Sequence, residues 1–380
     1  MRDCAAVGNI SIPQIYEEEA NTLVSSQSTS ATLLVFRNVA STLYRARRRV
    51  LPPLPQTRED IVILPSLQVS LQGDRFDLLY LPSNATIVFG TYSDFDTLCE
   101  RSNIYMDGTF DTCPHLFQQL FTIHAFFGER QVPLLYVLMS SKDREAYISL
   151  FRNLKDLVVR RGRRFSPEQI LSDFESGLIP TIHDEFPQSF HHGCYFHFTQ
   201  AIWRKVQQMG LTIVYTNNES IKGRIRQLMA LGFLPVPRIR EELQTIIDSL
   251  SNAEYDILES LFQYFVSWWC ERIPLSMWNV HGVQRRMNNN CEGWHDKFNR
   301  KVNRHHPDIW RLISALQSEQ ANSTRERLQI LDGQEIQRRN REYDSLNKDL
   351  DRLKELYDIG LLSDLDYLTA VSYSLARHGA

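Results

Sequence analysis

The sequence has little of what would assign a function by composition. Six cysteines are scattered over 380 residues with no CxxC pair, so the spacing describes neither a disulfide framework nor a paired-thiol motif and fits a reducing compartment. Long apolar runs are missing too. The richest of them, residues 132–139, falls far short of the roughly 20 residues that a helix needs to cross a bilayer, and no membrane anchor is expected. Near the amino terminus stand Asp3 and the run Glu17, Glu18, Glu19 with no apolar core between them, which argues against a secretory signal. Neither charge sign is in surplus: 42 Lys and Arg against 45 Asp and Glu give a net charge of −3, so bulk charge does not call for a polyanionic partner. There is no convincing internal repeat. With 43% hydrophobic and 23% charged residues, what remains is a folded chain with room for two or three domains of about 150 residues each.

Two local clusters of arginine stand out against that neutral background. Arg45, Arg47, Arg48 and Arg49 form one, and Arg160, Arg161, Arg163 and Arg164 the other. A guanidinium offers phosphate a two-pronged donor, so each cluster is a candidate phosphate contact or nuclear-import signal, or a solvated helix end.

Periodicity divides the chain into six stretches. Residues 1–60 read as a basic arm that includes a helix and ends in a Pro-rich linker at Pro52, Pro53 and Pro55. Residues 61–100 hold short β-type runs at 61–64, 76–81 and 85–89, expected to form a small lead-in sheet. Residues 101–214 start with three β-type runs joined by short connections, most simply an antiparallel meander. A helix over 143–160, a strand at 169–172, a helix ending at Pro187, a strand near 189–194 and a further helix follow. Three strands, helix, strand, helix, strand, helix is the element order of an RNase H-like domain. Residues 215–285 look wholly helical, with apolar positions on more than one stripe between 257 and 269. Residues 286–325 carry another helix, and 326–380 form a helical carboxyl-terminal region.

Asp107 and Asp173 are each expected at the end of a strand. If those strands are neighbours, the two carboxylates lie side by side where open α/β sheets bind ligands. Their repulsion is relieved by a proton or by hard divalent cations, and oxygen-only ligation suits Mg²⁺ or Mn²⁺. Two such ions would stabilise both attacking and leaving oxygens in a displacement at phosphorus. Glu292 is the best third acid. On a helix in which Cys291, Trp294, Phe298 and Val302 share the apolar face, Glu292 shares an adjoining stripe with His295 and Asn299.

Several stretches in order then resemble the transposase domain of Mutator-like elements (MULE): Tyr105-Met-Asp-Gly-Thr-Phe110, Leu120-Phe-Thr-Ile-His-Ala-Phe126, Ile170-Leu-Ser-Asp-Phe-Glu175, Gly193-Cys-Tyr-Phe-His-Phe198 and Asn288-Asn-Asn-Cys-Glu-Gly-Trp-His295. The resemblance spans roughly residues 85–320. It implies an α/β, RNase H-like mixed sheet (a DDE transposase core) with an all-helical insertion before the Glu and a helical carboxyl-terminal extension. It also implies that Asp107, Asp173 and Glu292 are catalytic metal ligands for Mg²⁺ or Mn²⁺, with element ends and target DNA as partners, nuclear localisation, and a homo-oligomer for work at two ends. The segment from Ser41 to Pro55 resembles the link that joins a FLYWCH-type zinc finger to the catalytic domain in animal members, whereas no Cys/His set for such a finger is present. A domesticated, non-catalytic DNA-binding or chromatin protein, or a transposase fragment, is the alternative. Cys194 and His197 match the CxxH of these transposases. They supply half of a tetrahedral zinc set, so zinc is not expected unless His191, His192 or His295 joins, and the pair is read as packed or DNA-facing. His295 is read as a neighbour that positions Glu292 or as a surface histidine.

Overall fold

The computed structural model describes residues 12–25, 35–50, 52–283, 289–334 and 341–377. Strands β1 (Asp77–Leu81), β2 (Thr86–Phe89), β3 (Asn103–Thr109), β4 (Gln119–Phe127), β5 (Arg130–Met139), β6 (Gln169–Ser172) and β7 (Phe190–Gly193) form one sheet in the order β1-β2-β5-β4-β3-β6-β7. The meander expected from the three consecutive apolar runs is there: β3 pairs antiparallel with β4, and β4 with β5. Its second turn is the two residues Gly128 and Glu129 between the paired Phe127 and Arg130. Gly128 has φ +55°, a left-handed conformation that suits so short a hairpin. Strand β6 lies parallel to β3, and β7 parallel to β6. Parallel neighbours need crossovers, which helices α4 (Arg144–Val159) and α5 (Leu178–Glu185) provide. Asp143 caps α4, accepting from the Ala146 amide at 2.8 Å, and Tyr147, Leu150, Phe151, Leu154 and Val158 are buried along it.

Two expectations are corrected. Residues 61–64 form no strand; Ile61, Ile63 and Leu64 pack as extended chain against one apolar layer. Strands β1 and β2 are not a separate lead-in sheet, because β2 pairs with β5 and extends the main one. The free edge of β5 offers β2 backbone partners, and pairing there satisfies both rows of amides.

Helices cover both faces of the sheet. On one lie α3 (Tyr92–Cys99), α4 and α5, with Phe95, Leu150 and Ile182 against Met106, Ile123 and Val137. On the other lie α12 (Asn289–Val302) and α13 (Ile309–Leu331), with Phe298, Ile313 and Leu316 against Phe89, Tyr136 and Leu138. This is why β4 and β5 read as nearly unbroken apolar runs. Arg327 of α13 makes a buried ion pair with Asp94, which also closes the capping box of α3.

A second core lies beyond β7. Helix α6 (Tyr195–Gln208) leads into α7 (Thr212–Asn217), α8 (Glu219–Ala230), α9 (Ile239–Asp248), α10 (Asn252–Tyr264) and α11 (Leu275–Trp278), with a π-helical stretch at Phe265–Arg272. Phe198, Phe265, Trp269 and Trp278 are buried together, and Phe198 stacks on Trp278 at 4.9 Å between centroids. The carboxyl-terminal helices α14 (Arg341–Asp358) and α15 (Asp364–Arg377) share this core through Leu346, Leu350, Leu368 and Val371. Helices α1 (Ile12–Ser25) and α2 (Phe36–Val50) pair through Ile12, Ile15 and Leu43. Among the described residues no helix is long and apolar enough to cross a membrane.

Candidate active site

Parallel pairing of β3 with β6, with Tyr105 opposite Leu171, brings Asp107 and Asp173 to the same end of the sheet. Asp173 follows β6 as expected, whereas Asp107 lies inside β3. Buried Asp107 is held at both oxygens. Oδ1 accepts from the Gly108 amide at 2.9 Å, and Oδ2 lies 3.4 Å from His295 Nδ1. Behind His295 a polar chain runs along this face of the sheet: its Nε2 is 3.1 Å from Thr122 Oγ1, which is 2.8 Å from His124 Nε2. The Thr122 hydroxyl also donates to the backbone carbonyl of Asp107 at 3.2 Å. A hydroxyl has one proton, so Thr122 then accepts from both rings. Burial, and next His295, hold His124 well below the usual histidine range, which makes it a neutral donor through Nε2.

Asp173 shares its turn with Glu175. The ring of Phe174 between them packs so closely on Gly193 that a Cβ there would overlap it, and it meets Trp269 edge-on at 4.9 Å. The carboxylates on either side of Phe174 are thereby fixed in place. Glu175 accepts from Tyr147 Oη and pairs with Lys142, while Gln119 donates to Tyr147 Oη at 2.7 Å. Burial raises the Asp173 carboxyl well above the usual range, and the charges of Glu175 and Asp107 push the same way. Glu175 was not singled out by sequence reasoning. Its signal was its place two residues after Asp173 in one post-strand turn.

Glu292 arrives on the first turn of α12. The apolar stripe of that helix sets its rotation: Cys291 is wholly buried with Tyr105, Leu171 and Phe126, and accepts from Gln131 Nε2 at 2.8 Å. The adjoining stripe faces the end of β3 and the segment after it. Glu292 reaches His197, with Oε1 3.4 Å from Nε2; His295 reaches Asp107; and Asn299 accepts from Thr112 Oγ1 at 2.9 Å. Burial pushes the Glu292 carboxyl up to about 8, helped by the charges of Asp107 and then Asp296. Its Oε1 is buried and accepts no hydrogen bond among the described residues. The charge of Asp107 on β3 thus bears both on Asp173, beside Glu175 in the turn after β6, and on Glu292 of α12, with Lys142 opposing the charge at Asp173. Oxygen ligands whose burial and mutual repulsion raise the carboxyls of Asp173 and Glu292, together with an unpartnered buried oxygen, fit a hard divalent cation.

Two of the three histidines named beside the CxxH go elsewhere. His191 lies 2.8 Å from Ser172 Oγ and His295 turns to Asp107. Among the described residues the side chain that joins Cys194 and His197 is Glu292, with ligand atoms of the three within 4.8 Å of one another. Arg45 is exposed on α2, and the side chains of Arg47, Arg48 and Arg49 lie outside the described residues. In the second basic cluster Arg161 pairs with Asp96 at 2.6 Å and Arg163 with Glu100 at 2.8 Å, so two of its four guanidinia are tied to α3 and the segment after it.

A family model described as the MULE transposase domain matches residues 103–201. The interval runs from β3 into α6 and includes Asp107, Asp173, Cys194 and His197, while Glu292 and His295 lie beyond it. No curated protein matches the chain.

Proposed function

We propose that this protein is a DDE-type DNA transposase of the Mutator-like class, acting in the nucleus on an RNase H-like core, with Asp107, Asp173 and Glu292 as its catalytic acids. The observation that carries the reading is a shared electrostatic link: of three acids far apart in the chain, Asp107 and Asp173 lie at one end of the sheet, the charge of Asp107 bears on both Asp173 and Glu292, and two of the three lie in the matched transposase interval. The sheet order β5-β4-β3-β6-β7, with β6 and β7 parallel to β3, supports the RNase H-like part.

Asp107, Asp173 and Glu292 would hold Mg²⁺ or Mn²⁺. Such ions supply Lewis-acid stabilisation of charge at phosphorus and of the attacking and leaving oxygens. The chain's own residues do the rest. His295 and the Gly108 amide fix the Asp107 carboxylate before substrate arrives, which lowers the reorganisation needed in the reacting complex. Tyr147 and Lys142 hold Glu175 beside Asp173, so that its charge adds to the attraction for cations without its being free to swing. Phosphoryl transfer asks little covalent chemistry of a protein and a great deal of positioning. Hydrolytic nicking and attack by a freed 3′-hydroxyl are both such transfers, so one site serves both.

The test is nicking of a supercoiled plasmid by purified protein with Mn²⁺ or Mg²⁺, compared with Asp173→Asn. Metal-dependent nicking that falls to background in the variant supports the proposal. Equal nicking by both proteins refutes it, and a protein that binds DNA without cutting it returns the domesticated binding reading.

A further inference from the structure

Helix α6 begins where β7 ends, and that junction sets up a second donor group. Cys194 is the residue before the first turn, its amide bonded to the Ser172 carbonyl at 2.7 Å, and His197 follows three positions later. Residues three apart at the start of a helix project to the same side. Cys194 is wholly buried, while the side chains of His197 and Glu292 keep 23% and 24% of their surface open. The group therefore has a closed floor and an open mouth.

Its chemistry differs from that of the acid cluster. Thiolate and imidazole are the donors preferred by borderline and soft divalent ions, and a carboxylate is acceptable to the same ions; Mg²⁺ and Mn²⁺ prefer oxygen alone. The spacing is close to what such an ion needs. In a tetrahedral zinc site the bond lengths set neighbouring ligand atoms roughly 3.5 Å apart, and His197 Nε2 already lies 3.4 Å from Glu292 Oε1. All ligand atoms of the group lie within 4.8 Å of one another. A second, independent observation points to a ligand. Glu292 Oε1 is buried with no hydrogen-bond partner among the described residues, an arrangement that costs free energy unless something else is bound.

From this geometry we infer that Cys194, His197 and Glu292 form a binding site for a zinc-class divalent ion, three protein ligands with the fourth position open to water. Binding displaces the thiol proton to solvent, so the metal takes a thiolate, a neutral imidazole and a carboxylate. Glu292 belongs to both groups. A zinc-class ion therefore commits the third acid of the hard-cation set, and the two kinds of metal compete for one side chain. That competition rests on the reading under Proposed function; the site itself does not.

Co²⁺ is the probe, because it reports thiolate ligation through an intense near-ultraviolet charge-transfer band and tetrahedral geometry through its visible bands. Titration of the purified, metal-free full chain is expected to give one equivalent of tetrahedral, thiolate-bound Co²⁺ that Zn²⁺ displaces. Cys194→Ser should abolish the thiolate band, and His197→Ala, at a partly open position, should weaken binding at least about tenfold. Asp173→Asn should leave both band and affinity unchanged, which separates this site from the acid cluster even if no DNA cleavage is ever seen. Absence of a thiolate band in the wild type overturns the inference. So does a band that survives in both Cys194→Ser and His197→Ala, because another cysteine is then the ligand. Equal loss in Asp173→Asn also overturns it.

Discussion

Replacing Glu292 by Gln removes a charge that the fold resists, so it should stabilise the metal-free protein in one pH range and leave it unchanged in another. Burial and the Asp107 charge move this carboxyl from 4.5 to about 8. A carboxyl whose folded value lies above its unfolded one binds its proton more tightly in the native state. Its contribution is complete below about pH 4.5 and is lost as pH rises towards 8, after which the penalty is constant. At about 1.4 kcal/mol per pH unit the full shift corresponds to about 5 kcal/mol. Because 24% of the side chain remains open to water, about 2–3 kcal/mol is a better figure after solvent screening. Gln matches the shape of the protonated acid and cannot ionise. Chemical denaturation in chelator should therefore find wild type and Glu292→Gln of similar stability near pH 4.5, and the variant ahead by about 2–3 kcal/mol near pH 9. Asp173 is shifted in the same direction but is present in both proteins, so the difference between them isolates Glu292. Adding Mn²⁺ should reverse the order. An ion that binds only the folded state stabilises it by mass action, and the wild type offers it the extra carboxylate. Parallel stability curves from pH 4.5 to 9 would refute the claim that Glu292 is buried among like charges.

Two further perturbations test the frame that holds the site. Gly177→Ala would drive a Cβ into the Lys142 carbonyl, and because backbone cannot rotate out of the way the cost should be about 2 kcal/mol in a denaturant midpoint; no change would mean that the turn before α5 is looser than described. Arg327→Met strands Asp94, whose side chain is 2% exposed, and should cost about 3–5 kcal/mol, with much of the loss recovered when Asp94→Asn is added; a loss below about 1 kcal/mol would rule out a buried pair.

What could be read from the sequence divides along physical lines. The meander was legible because β3, β4 and β5 are continuous apolar runs joined by few residues, and chain connectivity leaves them little choice but to pair. The stripe Glu292, His295, Asn299 was legible because helical periodicity fixes which residues share a face. Partners of those faces were another matter. Nothing within residues 61–64 distinguishes an edge strand from extended chain packed under a sheet; the difference lies in β2 having taken the edge of β5. Arg161 and Arg163 look like a free basic patch until a fold brings Asp96 and Glu100 beside them. The same limit applied to the CxxH. Histidines were sought nearby because zinc sets favour them, whereas register set the answer: His191 points to Ser172, and Glu292 arrives from across the fold. Periodicity gives each element a rotation about its own axis, and tertiary packing decides what that rotation meets. In α12 the two are coupled. Seating Cys291 between Tyr105 and Leu171 fixes the rotation of the helix, and since one residue is about 100° of turn, any other seating would carry Glu292 away from His197 and His295 away from Asp107 together. The buried apolar face of this helix is thus a determinant of the polar site on the adjoining one.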